Sequence, residues 1–192
     1  IYHVAGVDEV GRGPIAGPVT VAAVILPPMT LIPCLNDSKK LTEEKRETLY
    51  DIIMDEAVAV SFISYGPEKI DELNIYEATR QAMYEAIRTL SVPAEAVVAY
   101  AMKLPYLRIP VESIIKGDSK SANIAAASII AKVTRDRYMK SLDDEFPGYG
   151  FGIHKGYYTE LHKEAIEQQG VTPLHRKSFE PIKSIVRWVK PD

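Results

Sequence analysis

The amino-acid sequence predicts an α/β protein built on a mixed β-sheet. Near its start, two short runs rich in β-branched residues flank a glycine-rich connection, which indicates an antiparallel pair of strands. Farther along, segments with apolar residues at helical spacing alternate with short apolar runs, a pattern typical of α/β proteins. The 192 residues, 46% of them hydrophobic and 26% charged, are enough for one compact domain with a sizeable core.

The first elements are predicted to be a hairpin, a helix and a third strand. Strands at residues 4–9 and 19–26 are joined by the glycine-rich residues 11–17. Residues 58–65 predict the third strand. Between them, apolar side chains at helical spacing predict a helix that includes Leu49, Tyr50, Ile53 and Met54.

The middle of the chain predicts two long helices. The first begins after Asn74, a good N-cap residue, and its apolar positions recur at intervals of three and four as far as Leu90. Residues 96–101 have the length of a buried strand, and residues 109–114 are typical of an edge strand. Residues 121–139, rich in alanine and isoleucine, predict a largely buried second helix.

The last part of the chain predicts less regular structure. Residues 147–156 indicate a loop of glycine and aromatic residues, and residues 159–169 predict a helix. Residues 182–189 are apolar, and their pattern leaves helix and strand open.

Charge and cysteine content restrict the class of protein. With a net charge of −3, any surface that binds nucleic acid must be a local patch. The single cysteine, Cys34, has no intramolecular partner for a disulfide, so we expect a reducing cytoplasm. The longest apolar stretch, residues 18–28, is short of the ~20 residues that span a membrane, and we expect no membrane association. Because the chain begins with Ile1 and not methionine, we expect a longer precursor.

Two adjacent carboxylates, Asp8 and Glu9, close the first predicted strand just before Gly11. Neighbouring strand residues point to opposite faces, so both can reach one cation only if the strand ends or twists there. The alternative is one solvated and one capping carboxylate. Residues 11–16 also fit the dinucleotide pattern G-x-G-x-x-G/A, but a strand follows where that pattern requires a helix, which argues against a nucleotide cofactor.

Lysines beside predicted turns form three candidate sites for phosphate. They are Lys39 with Lys40, Lys103, and Lys116 with Lys120. Ammonium groups near glycines, hydroxyls and a helix N-terminus can track a phosphate backbone, although lysines in turns often only solubilise a protein.

Three further positions have structural alternatives when each is taken alone. Asp118 precedes the alanine-rich helix and could be its N-cap, as could Ser119 or Ser121. The pair Arg135 and Asp136 is typical of an exposed helix face. Tyr157 could stack on a base or sugar, or pack within its loop.

Taken together, these segments resemble the ribonuclease HII family, the bacterial type 2 ribonucleases H, over essentially the whole chain. The matching strings lie at residues 4–17 (VAGVDEVGRGPIAG), 36–41 (NDSKKL), 101–104 (AMKL), 113–120 (SIIKGDSK), 125–136 (AAASIIAKVTRD), 154–157 (HKGY) and 175–179 (HRKSF). Their order and spacing make the resemblance specific.

The resemblance implies a ribonuclease H-like mixed sheet flanked by helices, with a small C-terminal helical portion. We expect residues 1–145 to form the catalytic domain and residues 146–192 a C-terminal portion packed on it. The implied activity is cleavage of RNA strands in RNA–DNA hybrids and of DNA duplexes that contain ribonucleotides, as in ribonucleotide excision repair. We expect a monomer.

The resemblance also implies site residues. In the family four carboxylates hold two Mg²⁺ or Mn²⁺ ions; Asp8 and Glu9 match the first two and Asp118 matches the fourth. The third is an aspartate before the alanine-methionine-lysine string, where this chain has Tyr100. Gly11, Arg12, Gly13 and Tyr157 match the elements that recognise the RNA–DNA junction through the 2′-hydroxyl, and Lys39, Lys40, Lys103 and Lys120 are the expected phosphate contacts.

Three functional readings follow from the sequence. The first is a ribonuclease HII whose catalysis is weakened by Tyr100, because a phenol is uncharged at neutral pH and competes poorly with water for Mg²⁺. The second is a binding-only protein that holds hybrids or junctions without cutting them. A phosphate-binding enzyme of other chemistry on the same fold is a remote third.

Overall fold

The computed structural model describes residues 3–33, 35, 40–114 and 121–192. Its five strands form a single sheet and are β1 (Val4–Val10), β2 (Val19–Ile25), β3 (Ala59–Tyr65), β4 (Ala96–Tyr100) and β5 (Val111–Ile114). The spatial order is β3-β2-β1-β4-β5. Strand β1 pairs antiparallel with β2 and parallel with β4, and β4 pairs parallel with β5. The predicted opening hairpin and mixed sheet are confirmed.

The helices are α1 (Glu43–Glu56), α2 (Pro67–Leu73), α3 (Ile75–Arg88), α4 (Ala122–Glu145), α5 (Phe151–His154), α6 (Glu160–Gln169) and α7 (Ile182–Val186). The predicted N-cap of α3 is confirmed, because the Asn74 side chain accepts a hydrogen bond from Glu77 N–H at 2.9 Å. At the start of α4, Ser121 Oγ accepts from Ile124 N–H at 3.2 Å. Nothing in the described part of the chain is a helix long and apolar enough to cross a membrane.

Three helical details differ from the prediction, and one segment that was left open is helical. Helix α4 continues to Glu145, six residues beyond the predicted end at 139, and α2 was not predicted because only Ile70 in it is buried. The predicted loop at 147–156 contains α5, one turn held by the fully buried Phe151. The ambiguous segment 182–189 begins as the short helix α7.

Contacts divide the chain into two compact units. The first comprises the chain up to Val10, Thr20–Ile63 and Arg80–Val133. One face of its sheet is covered by α1 and α4, whose Leu49, Ile53, Ala126 and Ile130 form one core cluster with Ala22 and Val24 of β2. A Cβ on Gly6 would overlap the backbone of Asn123, so glycine permits the first turn of α4 to lie directly on β1.

The opposite face of the sheet is equally buried. Ala5 and Val7 of β1 and Ala23 of β2 are fully inaccessible to solvent. The Ser61 hydroxyl of β3 donates to the Ala86 carbonyl of α3, which ties that helix to the sheet. Since β1 is buried on both faces, its polar side chains are confined to its C-terminal end.

The second unit comprises Gly11–Val19, Ser64–Thr79 and Thr134–Asp192. Within the described residues of this unit, one apolar cluster joins Met139 of α4, Phe151 of α5 and Ala165 of α6. Residues 146–192 all lie in this unit, together with the glycine-rich segment after β1. The division at residue 145 stays a prediction.

Candidate active site

Asp8 and Glu9 lie at the C-terminal end of the central strand. Strand β1 continues through Val10, and Asp8 pairs with Ala22 while Glu9 pairs with Val21. The sequence predicted that the strand ends at Glu9, but it continues through Val10. The side chains of Asp8 and Glu9 therefore point to opposite faces of the sheet. Asp8 Oδ1 accepts a hydrogen bond from the Glu9 N–H at 2.8 Å, and both residues are half-buried.

Tyr100 stands beside Asp8 on the neighbouring strand. In the parallel pairing of β1 with β4, Val7 is the partner of Ala99, so the next residues along the two strands are Asp8 and Tyr100. Side chains at the same level of parallel strands point to the same face. Tyr100 is half-buried and is also the partner of Ile114 in β5.

The side chain of Asp8 belongs to the sheet face on which α4 begins. Gly6, two residues earlier and therefore on the same face, packs against the backbone of Asn123. Asp118 lies outside the described residues. The chain on either side of it is described: Ile114 pairs with Tyr100, and Asn123 packs against Gly6.

Two of the four predicted substrate lysines are described, and both are exposed. Lys103 lies between Met102 and Leu104, which are 1% and 3% exposed, so the alternation directs the lysine outward. Lys40 is exposed just before α1. Lys39 and Lys120 lie outside the described residues, as does Lys116.

In the second unit, the glycine-rich segment forms a tightly supported loop. Gly11 has φ +90°, and a Cβ there would overlap the Arg135 side chain, so a larger residue would be both strained and crowded. Gly13 is exposed, and a Cβ on it would lie 3.6 Å from Tyr157 Cε1. The structure thus brings Tyr157 to the glycine loop, as the resemblance implies.

Arg135 supports this loop from within α4. It is 1% exposed, and its guanidinium donates to the carbonyls of Pro18 at 2.8 Å, Lys155 at 2.7 Å and Ala16 at 3.2 Å. Asp136 is only 6% exposed, so the expected exposed pair is wrong. The sequence did contain a signal for the burial of Arg135. This residue lies four residues after Ala131 and four before Met139, on the buried stripe of the helix.

Arg176 supports the same loop from the other end of the unit. It is fully buried and donates to the carbonyls of Gly17 at 3.0 Å, Arg12 at 3.0 Å and Gly11 at 2.6 Å. Burial lowers the pKa of Arg135 to about 10 and that of Arg176 to about 9, where the neighbouring Arg135 charge adds to the effect. Both guanidinium groups remain charged at neutral pH. Sequence reasoning did not single out Arg176.

Arg12 and Tyr157 remain accessible on this supported backbone. Tyr157 is 43% exposed, so the alternative of a tyrosine packed within its loop is not what the structure has. Arg12 is half-buried, with its guanidinium carbon 5.9 Å from the centroid of the Tyr76 ring. Cation–π contact at this distance helps to orient the arginine.

Three histidines of the second unit are buried; two of them, His154 and His175, lie in the matching strings, but the sequence assigned no catalytic or binding role to any of the three. His154 and His162 stack with ring centroids 4.0 Å apart, and His162 Nε2 is 2.9 Å from His175 Nε2. Burial lowers the pKa of His162 and of His175 to about 4, and it also lowers the pKa of His154. These histidines are therefore neutral at physiological pH.

The lowered histidine pKa values predict a stability that depends on pH. In the unfolded chain these imidazoles take up protons below about pH 6.5, whereas His162 and His175 in the folded protein resist protonation down to about pH 4. Their contribution is thus complete above pH 6.5 and is lost as the pH falls toward 4, at up to about 1.36 kcal/mol per pH unit for each histidine. Imidazole ¹⁵N chemical shifts at pH 5.5 should show both rings neutral. An imidazolium signal from either ring at that pH contradicts the prediction.

The sequence of this chain is similar to those of one protein family. The chain matches the sequence profile of the family described as Ribonuclease HII over residues 5–182. Ribonuclease HII of Bacillus mycoides (strain KBAB4) is 58% identical over 187 residues, which are 97% of this chain and 72% of the relative. That of Bacillus anthracis (strain A0248) is also 58% identical over the same shares of the two chains.

Solved structures agree in fold. The ribonuclease H2 of Pyrococcus horikoshii OT3 superposes with a TM-score of 0.82 at 26% identity, covering 96% of this chain and 97% of that one. RNase HII of Archaeoglobus fulgidus, solved as a complex with PCNA, has a TM-score of 0.75 at 27% identity and covers 93% and 95%. Bst-RNase HIII, solved in complex with Mn²⁺, shares the fold alone, at 19% identity and a TM-score of 0.72.

The mixed sheet, its flanking helices and these structural neighbours define an α/β protein of the ribonuclease H-like fold. With the sequence profile and the 58% identical relatives, the assignment becomes specific: the chain belongs to the ribonuclease HII family. It is a ribonuclease H enzyme, an endonuclease.

Proposed function

We propose that this protein cuts the RNA strand of RNA–DNA hybrids, and cuts 5′ to ribonucleotides embedded in duplex DNA, by two-metal-ion catalysis that is weakened by Tyr100. The observation that carries the proposal is the position of Asp8 and Glu9 at the C-terminal end of the central strand, with Tyr100 level with Asp8. Ligand and active sites of α/β sheets lie typically at the carboxyl ends of strands.

The donor chemistry of the strand end fits a hard divalent cation. Asp8 and Glu9 offer carboxylate oxygens, the ligands that Mg²⁺ and Mn²⁺ prefer. Within residues 3–33, 35, 40–114 and 121–192 no group of three or more histidine, cysteine or acidic side chains could hold a metal, so the proposed set requires Asp118. On the two sides of its segment, Ile114 pairs with β4 and Asn123 packs on β1, and these positions support the proposal.

With Asp118, Asp8 and Glu9 would hold the Mg²⁺ or Mn²⁺ ions. When bound, such ions activate water and stabilise the leaving 3′-oxygen of a phosphodiester. The carboxylates act as ligands in this proposal and not as general acid and base. The Mn²⁺ in the Bst-RNase HIII structure supports a divalent ion in the fold.

Recognition of the ribonucleotide is assigned to the glycine loop and Tyr157. The carbonyls of Gly11, Arg12 and Gly17 all accept hydrogen bonds from Arg176, so the loop backbone is fixed before substrate binds. A fixed loop loses little conformational entropy on binding. The exposed Tyr157 ring beside Gly13 can then contact the ribose, whose 2′-hydroxyl distinguishes RNA from DNA.

The binding-only alternative keeps the same recognition residues without cleavage. It is favoured by Tyr100, since a neutral phenol beside Asp8 supplies no charge to offset a pair of dications. Lys40 and Lys103, with Lys39 and Lys120, would follow the phosphates in either case. We place the protein in the cytoplasm, in line with its single cysteine, and we propose that it is a monomer.

Binding and cleavage of three duplexes test the proposal. Duplexes with a single ribonucleotide or with an RNA–DNA hybrid should bind more tightly than an all-DNA duplex of the same length and sequence. All affinities should fall as salt rises, because contacts with phosphates release counterions. Metal-dependent cleavage 5′ to the ribonucleotide, even if slow, separates the enzyme from the binding-only protein. Equal affinity for the three duplexes in a gel-shift titration refutes the recognition assignment.

The control for the recognition assignment is Tyr157→Ala. It should reduce the preference for the ribonucleotide duplex more than it reduces affinity for all-DNA duplex, because the ring is exposed and is not part of the core. If both affinities fall in proportion, Tyr157 has only a structural role.

A further inference from the structure

The three histidines buried in the second unit are not part of the proposed catalytic or recognition site. His162 and His175 are 0% and 1% exposed, and His154 is 7% exposed. Their rings surround Phe151, with centroid distances of 5.6 Å from His154, 5.6 Å from His162 and 5.9 Å from His175. Buried polar rings need hydrogen-bond partners, and the partners found here determine where each proton lies.

Backbone N–H groups fix two of the three tautomers, because an N–H can only donate. Gly156 N–H donates to His154 Nδ1 at 3.0 Å, so His154 carries its proton on Nε2 and donates it to the Tyr149 carbonyl at 2.8 Å. Thr172 N–H donates to His175 Nδ1 at 3.0 Å, so the proton of His175 is on Nε2.

The third tautomer follows from the second. His175 Nε2–H donates to His162 Nε2 across 2.9 Å, which leaves the proton of His162 on Nδ1. That proton is donated to the Tyr157 carbonyl at 2.9 Å. Each ring nitrogen of the three histidines is thus engaged in a hydrogen bond, and none keeps a lone pair for a metal ion.

The end of this chain of hydrogen bonds is the residue assigned to ribonucleotide recognition. The Tyr157 carbonyl accepts from His162 Nδ1–H and from the Thr159 N–H, each at 2.9 Å, and the Tyr157 N–H donates to the His154 carbonyl at 3.0 Å. Both peptide groups of Tyr157 are therefore hydrogen-bonded, and His162 is the side chain that contributes to holding them, while the tyrosine ring stays exposed beside Gly13. The direction in which an exposed ring leaves the backbone depends on these two peptide planes.

We propose that His162, oriented by His175, is a positioning residue that fixes Tyr157 for discrimination between ribonucleotide-containing and all-DNA duplexes. The inference rests on the proposed function, since it requires that Tyr157 contact the ribonucleotide. His162 Nδ1–H holds the carbonyl, and His175 Nε2–H keeps that tautomer of His162 in place. A residue that holds the recognising group in its bound geometry raises selectivity by reducing the cost of ordering it.

Two substitutions at His162 separate positioning from packing. In His162→Asn the side-chain NH₂ group takes the place of Nδ1 and can still donate to the Tyr157 carbonyl. In His162→Gln the amide takes the place of Nε2 and can accept from His175, but it leaves the carbonyl without this donor. We expect His162→Asn to keep most of the discrimination ratio, defined as the Kd for all-DNA duplex over the Kd for ribonucleotide duplex. His162→Gln should lower that ratio about fivefold, the effect of one neutral hydrogen bond.

The matched pair at His175 should show the opposite order. His175→Gln can place an N–H donor at the Nε2 position toward His162, whereas His175→Asn accepts from Thr172 but does not reach His162. We therefore expect His175→Gln to discriminate better than His175→Asn. A packing effect alone follows side-chain volume and would favour glutamine at both positions. Binding is measured at 10 °C, with each variant shown to be folded by circular dichroism; if one pair does not fold, the other pair decides.

Wild-type protein and Tyr157→Ala are included in the same titration. They distinguish failure of the proposed function from failure of the positioning role of His162. If the wild type does not discriminate, or if Tyr157→Ala leaves the ratio unchanged, the proposed function fails. If Tyr157→Ala lowers the ratio but folded His162→Gln and His175→Asn equal the wild type, the positioning role is refuted while the proposed function stands. The positioning role is also refuted if the glutamine variant has a higher discrimination ratio than the asparagine variant at both positions.

Discussion

Replacing Tyr100 by aspartate should raise Mg²⁺- or Mn²⁺-dependent cleavage 5′ to an embedded ribonucleotide by at least about a hundredfold. Tyr100 is level with Asp8 on the adjacent parallel strand, so the new carboxylate would add negative charge at the proposed metal site. Loss of a catalytic group commonly costs several kcal/mol of transition-state stabilisation, and each ~1.36 kcal/mol is tenfold in rate. Single-turnover cleavage of a duplex with one ribonucleotide measures the change.

Tyr100→Asn is the matched control. Asparagine has the size of aspartate without its charge, so it tests whether the bulk of the phenol alone blocks the site. We expect the asparagine variant to stay near the parent rate and duplex affinity without metal to change only modestly in both variants. Because Tyr100 is half-buried, folding is compared by circular dichroism. A well-folded Tyr100→Asp protein that cuts no faster than the parent shows that Tyr100 does not occupy the third ligand position.

Replacing Arg176 by methionine should destabilise the protein by about 3 kcal/mol or more and lower Tm by roughly 10 °C. The fully buried guanidinium donates to three loop carbonyls, and its carbon lies 5.0 Å from the centroid of the Phe179 ring. Methionine fills similar volume but removes the hydrogen bonds that Arg176 donates to those carbonyls, at about 1–3 kcal/mol each. Burial of the charge, which lowers the pKa of Arg176 to about 9, offsets part of this loss. Thermal unfolding at pH 7 measures the difference.

Two further variants identify the cause of the expected destabilisation. Arg176→Lys keeps the positive charge but replaces a planar fork of donors with one ammonium group, so it should recover less than half of the stability. Arg108→Met removes an exposed arginine and should stay within about 0.5 kcal/mol of the parent. If Arg176→Met is as stable as Arg108→Met, the carbonyl contacts of Arg176 contribute nothing net. If the lysine variant equals the parent, charge and not geometry is what the loop requires.

Periodicity and turn chemistry predicted the opening hairpin, the three later strands and the long helices from the sequence. These elements are specified locally: β-branched runs form strands, and the caps at Asn74 and Ser121 start α3 and α4. The short helices α2 and α5 were missed because most of their stability comes from contacts outside their own turn, as for the buried Phe151.

The composition of the candidate site was likewise contained in the sequence. Asp8, Glu9, Tyr100 and Tyr157 could be selected by their motifs alone. Their assignment to metal binding and recognition remains a proposal. What the motifs could not give is that Asp8 and Tyr100 are level on neighbouring strands, since strand register depends on pairing between segments some ninety residues apart.

Tertiary structure alone decided which polar side chains support the loop. Arg135 looked like half of an exposed pair, yet it and Arg176 are buried and together donate to the carbonyls of residues 11, 12, 16, 17, 18 and 155. The histidine tautomers were equally hidden, because they are set by backbone N–H donors at Gly156 and Thr172. Sequence patterns report local propensity and burial, whereas a buried polar group is defined by partners from distant segments that only the folded chain brings within hydrogen-bonding distance.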